Sequence, residues 1–236
     1  MAKNIPLEER LIFALDVDSP SEAERWLDRL GDQVRFYKVG LQLFLAGGLP
    51  IVEAILARGH RVMVDLKLFD IPETVALAVR ELRNRRATFI TVHGNDSILR
   101  AAIQERGDSR ILSVTVLTSF DESDMRAMGF TGTIEDLVYL RARKALDLGC
   151  DGVVSSGLEA PRLRGELGEQ FLIVTPGIRP GSNDTVQEDD QKRIASAYQA
   201  IRNGADYVVV GRPIRNASDP LAVVKQIQEQ MGAALA

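Results

Sequence analysis

The sequence of 236 residues contains one cysteine, Cys150, which excludes an intramolecular disulfide. It contains two histidines, His60 and His93, and it has neither the HExxH spacing nor the CxxC pairs that build zinc sites. A structural zinc site is therefore not expected. Cys150 lies in LGCDGVV, between helix-like and strand-like text, and we expect it to be a small packing residue.

The sequence also lacks long apolar runs and long basic runs. No stretch approaches the ~20 apolar residues of a membrane span, and the polar N-terminus MAKNIPLEER is not followed by an apolar signal core. The 29 basic and 33 acidic residues give a net charge of −4 without a long basic block, which disfavours a nucleic-acid partner. The hydrophobic fraction of 45% is that of an ordinary globular protein. Because neither a signal core nor a membrane span is predicted, we expect a cytoplasmic enzyme or binding protein.

Short apolar runs rich in Val, Ile, Phe and Thr alternate with longer amphipathic segments. The runs with the length and composition of strands are 11–17, 35–40, 61–68, 89–94, 111–118, 152–156, 171–178 and 207–214. Helix signals lie between them, such as Pro72 near the start of IPETVALAVRELRNR and Gly149 at the end of TIEDLVYLRARKALDLG. Eight strand–helix units predict a (β/α)8 TIM barrel, an α/β fold whose usual size is about 250 residues, forming one domain over residues 1–236.

An open, doubly wound sheet is the alternative arrangement of the same units. Its dinucleotide-binding form has a glycine-rich turn after the first strand, where this chain has ALDVDSP. The longest predicted loop, IRPGSNDTVQEDDQ over 178–191, follows the seventh strand. A polar loop of this length inside a compact domain is more often functional than idle, so we expect it to act as a lid.

Polar side chains gather where the predicted strands end. In a TIM barrel the active site lies at the carboxyl ends of the strands. The residues found there are Asp16, Lys38, Asp65, Lys67, His93, Thr118, Ser119, Ser155, Ser156, Arg179, Gly211 and Arg212. The positions before them are mostly apolar, which a surface location of these strands does not explain.

The third strand carries the densest charge, in the stretch DLKLFD at 65–70. Side chains alternate along a strand, so Asp65 and Lys67 share the face toward the barrel interior, where a charge is costly unless it is paired. Lys38 on the neighbouring strand can pair with Asp65, and Lys67 can pair with Asp65 or Asp70. A purely structural ion-pair network and a Mg²⁺ site are the other interpretations, and two lysines among the carboxylates argue against the metal.

Two loops indicate a phosphate ligand. Barrel proteins often bind phosphate with the loops after the seventh and eighth strands, where this chain has TPGIRPG and then Gly211-Arg212. Glycine lets backbone N–H groups approach an anion, and arginine supplies a forked donor. Each loop alone is also an ordinary turn, but together they favour a phosphomonoester.

The stretch DLKLFDIPET resembles the signature of the orotidine 5′-monophosphate decarboxylase family, in its bacterial monofunctional form. FALDV, YKVGLQLF, VTVLTS, VTPGIRP and VVGRPI resemble the family in the same order, across essentially the whole chain. The DxKxxD core is shared with Mg²⁺-dependent phosphosugar barrels, the hexulose-phosphate synthases and ketogulonate-phosphate decarboxylases. Small residues typically follow the last Asp there, so the IPET after Asp70 discriminates between the two groups.

The resemblance implies decarboxylation of orotidine 5′-monophosphate to UMP and CO2, the last step of de novo UMP synthesis, without a cofactor or metal. It implies that Lys67 delivers a proton to C6 of the pyrimidine, with Asp65, Asp70 and Lys38 in the same catalytic group. The two carboxylates should keep Lys67 charged, as an acid requires. It also implies a homodimer in which Asp70 and Thr74 reach the neighbouring subunit's site.

The remaining site residues are assigned by the same resemblance. Asp16 and Lys38 are expected to contact the ribose hydroxyls and Thr118 the base, with Ser119 as its neighbour. The residues expected to grip the phosphate are Arg179, Gln191, Gly211 and Arg212.

Two further expectations concern charges near that site. Glu188, Asp189 and Asp190 directly precede Gln191, and we expect these acids to point to solvent, since they would repel a dianionic phosphate. His93 is expected to support the mouth and not to act as the acid. A Mg²⁺-dependent phosphosugar lyase and a noncatalytic nucleotide-binding barrel remain the alternative functions.

Overall fold

Eight short parallel strands pair in sequence order and close on themselves in the computed structural model, which describes residues 3–179, 181 and 193–236. The strands are β1 (Leu11–Ala14), β2 (Phe36–Gly40), β3 (Arg61–Leu68), β4 (Phe89–Val92), β5 (Arg110–Val114), β6 (Gly152–Val154), β7 (Leu172–Thr175) and β8 (Tyr207–Val210). β8 pairs with β1, and this pairing closes the barrel. The (β/α)8 prediction is confirmed and the open sheet is wrong.

Helices follow the strands and cover the outside of the barrel. They are α1 (Pro20–Leu30), α2 (Leu41–Ala57), α3 (Pro72–Asn84), α4 (Asp96–Glu105), α5 (Glu122–Ala127), α6 (Ile134–Asp147), α7 (Ala160–Leu167), α8 (Ala197–Arg202), α9 (Arg212–Arg215) and α10 (Pro220–Leu235). Local residues determine where some of these helices begin. The Ser19 side chain caps α1 by accepting a hydrogen bond from the Glu22 N–H, and Pro72 is the first residue of α3.

Alternation along the strands separates two apolar layers. The inner layer fills the barrel and includes Ile12, Phe36, Met63, Phe89, Leu112, Leu172, Val174, Tyr207 and Val209. The Phe36 and Phe89 rings lie 5.0 Å apart, and the Tyr207 ring meets both edge-on at 5.8 and 5.1 Å. We call these three rings the aromatic plug. They stand near the amino ends of their strands, so the next inward-facing positions belong to the carboxyl-end mouth.

The predicted strands run past the observed ends. β1 stops at Ala14, three residues before the predicted end, and β5 stops at Val114, four residues before it. The residues beyond these ends form loops around the mouth. After β8 the chain turns at Gly211, and Arg212–Arg215 form α9 with Pro213 in its first turn. The prediction of a strand through Ile214 was therefore wrong.

Two expectations from the sequence concern single features. Cys150 is buried, as expected, and burial raises the pKa of its thiol to about 12. In the part of the chain that the structure describes, no helix has the length and hydropathy needed to cross a membrane.

Gly152 should be intolerant of a side chain because of its place between two strands. A Cβ added there would overlap the carbonyl oxygen of Leu172 and lie 2.6 Å from the Leu172 Cβ. Since backbone of the neighbouring strand cannot move aside cheaply, we expect Gly152→Ala to lower the free energy of unfolding by about 1–3 kcal/mol. Denaturant titration measures this change.

Gly165 supplies the matched control. It lies in α7 with nothing within 4 Å of an added Cβ. Gly165→Ala should raise the free energy of unfolding by about 0.5–1 kcal/mol, since alanine is the better helix residue. Equal effects of the two substitutions would contradict the assignment of a steric limit to Gly152.

Candidate active site

A row of alternating charges crosses the mouth above the aromatic plug. Lys38 Nζ donates to Asp16 Oδ1 at 2.9 Å and lies 3.6 Å from Asp65 Oδ2. Lys67 Nζ lies 3.0 Å from each carboxylate oxygen of Asp65. The order Asp16–Lys38–Asp65–Lys67 therefore places an opposite charge beside every member. We call these four residues the charged row.

Strand alternation brings the charged row together. Lys38 lies two residues beyond Phe36 on β2, and Asp65 lies two residues beyond Met63 on β3, so both follow inner-layer residues. Gly40, opposite Asp65 in the strand pairing, gives them room. A Cβ on Gly40 would lie 2.9 Å from Lys38 Nζ and 3.0 Å from Asp16 Oδ1.

Burial and pairing act in opposite directions on the centre of the row. Burial tends to raise the pKa of the Asp65 carboxyl, but Lys38, Lys67 and the Thr91 hydroxyl outweigh it, so this pKa is lowered. Burial likewise tends to lower the pKa of Lys38, and Asp65 and Asp16 outweigh it, so that pKa is raised. Both groups are therefore ionised at neutral pH.

Lys67, like Asp16 at the other end of the row with 46% side-chain exposure, is open to the mouth. Its side chain is 36% exposed, whereas those of Lys38 and Asp65 are 11% and 12% exposed. Its backbone has a φ of 48°, in the left-handed region that residues with a Cβ rarely adopt. Such a conformation costs about 1–3 kcal/mol and clusters at functional sites. It coincides with a register shift between β3 and β4 that spans Val64 to Leu68.

Asp70 lies outside the charged row of its own chain. It follows β3 in an exposed turn, where its Oδ1 accepts from the Ile71 N–H. The prediction that Asp70 extends the ion-pair chain is thus wrong within one chain, because the backbone leaves the barrel before Asp70. Thr74 is exposed in the first turn of α3. Beside them Phe69 and Ile71 are 65% and 66% exposed, an apolar rim next to the mouth.

The predicted phosphate loops follow β7 and β8, and β8 is the strand that pairs with β1. Arg179 is buried, and its Nη1 donates to the Ile178 carbonyl at 2.8 Å. Gly211 ends the β8 turn beside Ala14 and Asp16, and Arg212 begins α9. The β8 loop therefore lies beside the Asp16 end of the charged row, and the phosphate site stays a prediction. Gln191 and the acidic run 188–190 lie outside the described residues, as does most of the predicted lid.

The β5 side of the mouth carries Thr118, which is buried, and Ser119, which is exposed. His93 follows β4, and its Nδ1 lies 3.1 Å from the Val114 carbonyl, so this nitrogen carries the proton and donates. The His93 ring also packs at 5.6 Å from the Phe69 ring. His93 thus joins the ends of β4 and β5, in agreement with a supporting role.

Sequence reasoning missed two groups that hold the site. Thr91 is fully buried on β4 and bonds both to Asp65 and to the Lys67 backbone. Alternation from Phe89 through Thr91 to His93 was the signal that could have found it. Arg193 pairs with buried Glu159 and donates 2.8 Å to the Leu117 carbonyl, which fastens the end of the β7 loop to the β5 loop. Nothing in the sequence around Arg193 distinguishes it from a surface residue.

The fold and the site together define a (β/α)8 barrel with a row of fixed charges at its carboxyl-end mouth, where enzymes of this fold have their active sites. Comparison with known proteins identifies the family. The model of the orotidine 5′-phosphate decarboxylase / HUMPS family matches residues 9–227. The chain belongs to this family.

Individual relatives agree with that assignment. A protein of Methylococcus capsulatus named orotidine 5′-phosphate decarboxylase is 54% identical over 230 residues, 97% of this chain and 94% of its own length. One of that name from Rhodopseudomonas palustris is 48% identical over 233 residues, covering 98% of each chain. The crystal structure of the Lactobacillus acidophilus enzyme of that name matches with a TM-score of 0.83 and 33% identity, covering 94% of this chain and 99% of its own. The chain is thus an enzyme of the carboxy-lyase class.

The lowered pKa of Asp65 predicts how stability depends on pH. A depressed carboxyl pKa contributes stability that is complete above the unfolded pKa of about 3.9 and is lost as pH falls through the folded pKa. We expect Asp65→Asn to lower the free energy of unfolding by about 3–5 kcal/mol, because it leaves two ammonium groups without their shared partner. The difference from wild type should stay constant from about pH 5 to 9 and shrink below about pH 4. Denaturant titrations at stepped pH measure it.

Asp28→Asn is the control for that titration. Asp28 pairs with Arg58 at 2.9 Å, but its side chain is 70% exposed. Loss of this surface pair should change stability little at any pH. A wild-type advantage over Asp65→Asn that already falls between about pH 5 and 8 would show that the Asp65 pKa is not depressed.

Proposed function

We propose that the protein, as a cytoplasmic homodimer, decarboxylates orotidine 5′-monophosphate to UMP and CO2, with Lys67 as the proton donor to C6 and without a cofactor. The observation that carries the proposal is the Lys67 ammonium, held 3.0 Å from both Asp65 oxygens at one of the two exposed ends of the charged row. The names of the relatives support the substrate, since they match over nearly the whole chain.

The chemistry asks for a fixed positive charge. When the bond from C6 to the carboxylate breaks, its electron pair stays on C6 in the plane of the ring, where the pyrimidine π system cannot take it up. A preorganised ammonium facing C6 lowers the energy of that charge. Lys67 then transfers a proton from Nζ to the C6 electron pair, which forms the C6–H bond of UMP. The neutral amine is reprotonated from solvent after product release.

The charged row is suited to this work because its charges are already in place. Asp65 and Lys38 are buried and ionised, so they need no reorganisation when the substrate binds. In the proposal Asp65 keeps Lys67 protonated and aimed, and Lys38 holds Asp65 in turn. Asp16 and Lys38 also meet the ribose hydroxyls, which would replace the water around the 46% exposed Asp16 side chain.

The phosphate is assigned to the loops after β7 and β8, on the side of the mouth next to β1. Arg179, Gly211 and Arg212 provide guanidinium and backbone donors there, and Thr118 lies toward the base. We include Gln191 on the family resemblance, and a lid formed by the β7 loop on the length and polarity of that loop. Phosphate binding far from C6 can be used to order this loop over the site, so it contributes to the rate as well as to affinity.

The Mg²⁺-dependent phosphosugar lyase is less compatible with the donor set. A divalent ion prefers several free carboxylate oxygens. In the charged row both oxygens of Asp65 already face ammonium groups, and Asp16 Oδ1 accepts from Lys38. A cation would have to displace these lysines. We therefore propose chemistry through Lys67 alone.

The homodimer completes the proposed site. The exposed Asp70 and Thr74 stand beside the apolar rim of Phe69 and Ile71, where a second copy would bury about a hundred square ångströms or more of each large side chain. In the proposal Asp70 and Thr74 enter the site of the partner, and Asp70 brings the second carboxylate to Lys67 from there. Isologous contact makes the exchange reciprocal.

Lys67→Ala separates chemistry from binding. An absorbance assay of orotidine 5′-monophosphate consumption should show turnover reduced by on the order of 10⁴-fold or more, since both charge stabilisation and proton delivery are lost. Calorimetry should show that UMP still binds. Arg212→Ala should chiefly weaken UMP binding, because it removes a phosphate donor.

Lys225→Ala is the matched lysine control. Lys225 is 77% exposed on α10, so its loss should leave turnover unchanged. Each assay is repeated with a chelator, which the proposed mechanism should tolerate and a Mg²⁺ lyase should not. Near-normal turnover by Lys67→Ala would refute the role of Lys67, and no turnover by wild type would refute the reaction.

Subunit mixing tests the shared site. Lys67→Ala and Asp70→Ala subunits should each be nearly inactive alone. In a mixed dimer one site carries both lesions and the other carries neither, so mixing equal amounts should restore about a quarter of wild-type activity. The measurement is turnover after the two variants are unfolded together and refolded. Activity that stays at the level of the separate variants would mean that Asp70 serves the site of its own chain.

A further inference from the structure

A single hydroxyl ties together the two central members of the charged row. Thr91 lies on β4 with 0% exposure, on the same inward face as Phe89 of the aromatic plug. Its Oγ1 donates to Asp65 Oδ1 at 2.9 Å and accepts from the Lys67 backbone N–H at 3.0 Å. The hydroxyl thus bonds one oxygen of a buried carboxylate and one part-buried backbone N–H at once.

The contact falls where the β3–β4 ladder is interrupted. Val64 is opposite Ile90 and Leu68 is opposite Val92, so three residues of β3 face one residue of β4 between these pairs. Extra residues on one strand leave backbone groups without ladder partners. Thr91 is that one residue, and its side chain supplies the partner that the Lys67 N–H would otherwise lack.

The same position carries the left-handed backbone of Lys67. With a φ of 48°, Lys67 is one of two residues other than glycine with positive φ in the described part of the chain. The other, Arg86, lies in the turn between α3 and the amino end of β4, at the end of the barrel away from the mouth. Strain of this kind persists only where the surroundings hold it, and the Thr91 hydroxyl bonds directly to the strained residue.

We propose that Thr91 is a positioning residue for the proton donor. Its hydroxyl holds the Lys67 backbone in the left-handed conformation and fixes the rotation of the Asp65 carboxylate, so that the ammonium faces the reacting carbon. The inference rests on the proposed function for the identity of that carbon. Thr91 does not touch the substrate, because it is fully buried beneath Asp65.

Thr91→Val tests the hydroxyl with little change in volume. Valine has nearly the shape of threonine, so the barrel filling is kept while both hydrogen bonds are lost. We expect kcat to fall by on the order of 100-fold, the effect of a displacement of about 1 Å in a reacting group. KM and the affinity for UMP should change by less than about threefold, because the phosphate and ribose contacts remain. Thr91→Ser keeps the hydroxyl and should restore most of kcat.

Thr115→Val is the matched control. Thr115 is also fully buried, just beyond β5, and its hydroxyl donates to the Val154 carbonyl at 2.9 Å without contacting the charged row. The Thr115→Val variant should lose stability, as Thr91→Val does, but its kcat should stay at the wild-type value. If both variants lose kcat equally, or if Thr91→Val keeps it, Thr91 is merely structural and the proposal fails.

A crystal structure of Thr91→Val gives a readout that does not depend on turnover. The proposal expects Lys67 to leave the left-handed region, or its Nζ to move away from Asp65. An unchanged φ and an unchanged distance between Lys67 Nζ and Asp65 would overturn it. If wild type shows no turnover, the proposed reaction fails, and this structure alone decides whether the hydroxyl holds Lys67.

Discussion

The site depends on the pairing of one buried carboxylate with two ammonium groups. Asp65 sits in the filled barrel where an isolated charge is too costly to keep, and Lys38 and Lys67 make its ionised form the stable one. The pairing also stabilises the charged form of the lysines, because each ammonium group lies beside a carboxylate. The interior therefore contains a row of charges that is nearly balanced and fixed before any ligand arrives.

The layers of the barrel account for the place of this row. The aromatic plug occupies the inward positions near the amino ends of β2, β4 and β8. With that space filled, the following inward positions reach the mouth, where charged side chains still meet water on one side. Lys38 and Asp65 lie at the inner boundary, and Lys67 lies at the outer one. Depth in the barrel thus separates the buried centre of the row, Lys38 and Asp65, from its more exposed ends, Asp16 and Lys67.

The barrel and the centre of the charged row could be predicted from the alternation of side chains along strands and from the number of strands. The alternation of β3 predicted that Asp65 and Lys67 share the inner face, and strand count predicted the closed barrel. What could not be predicted depends on backbone detail. The register shift that turns Lys67 to a positive φ has no sequence code, and the roles of Thr91 and Arg193 follow from contacts between distant segments. Strand ends were overestimated because apolar loop residues such as Val116 continue the strand pattern after pairing has stopped.

The aromatic plug also limits how small molecules can reach the barrel interior. Phe36, Phe89 and Tyr207 are at most 2% exposed, and they close the barrel axis at its amino end. Whatever enters the charged row must enter by the mouth and leave by the same opening. For a decarboxylase this means that a gas and a nucleotide share one exit. In the proposed reaction CO2 would therefore leave past the bound nucleotide, because the barrel is open at one end.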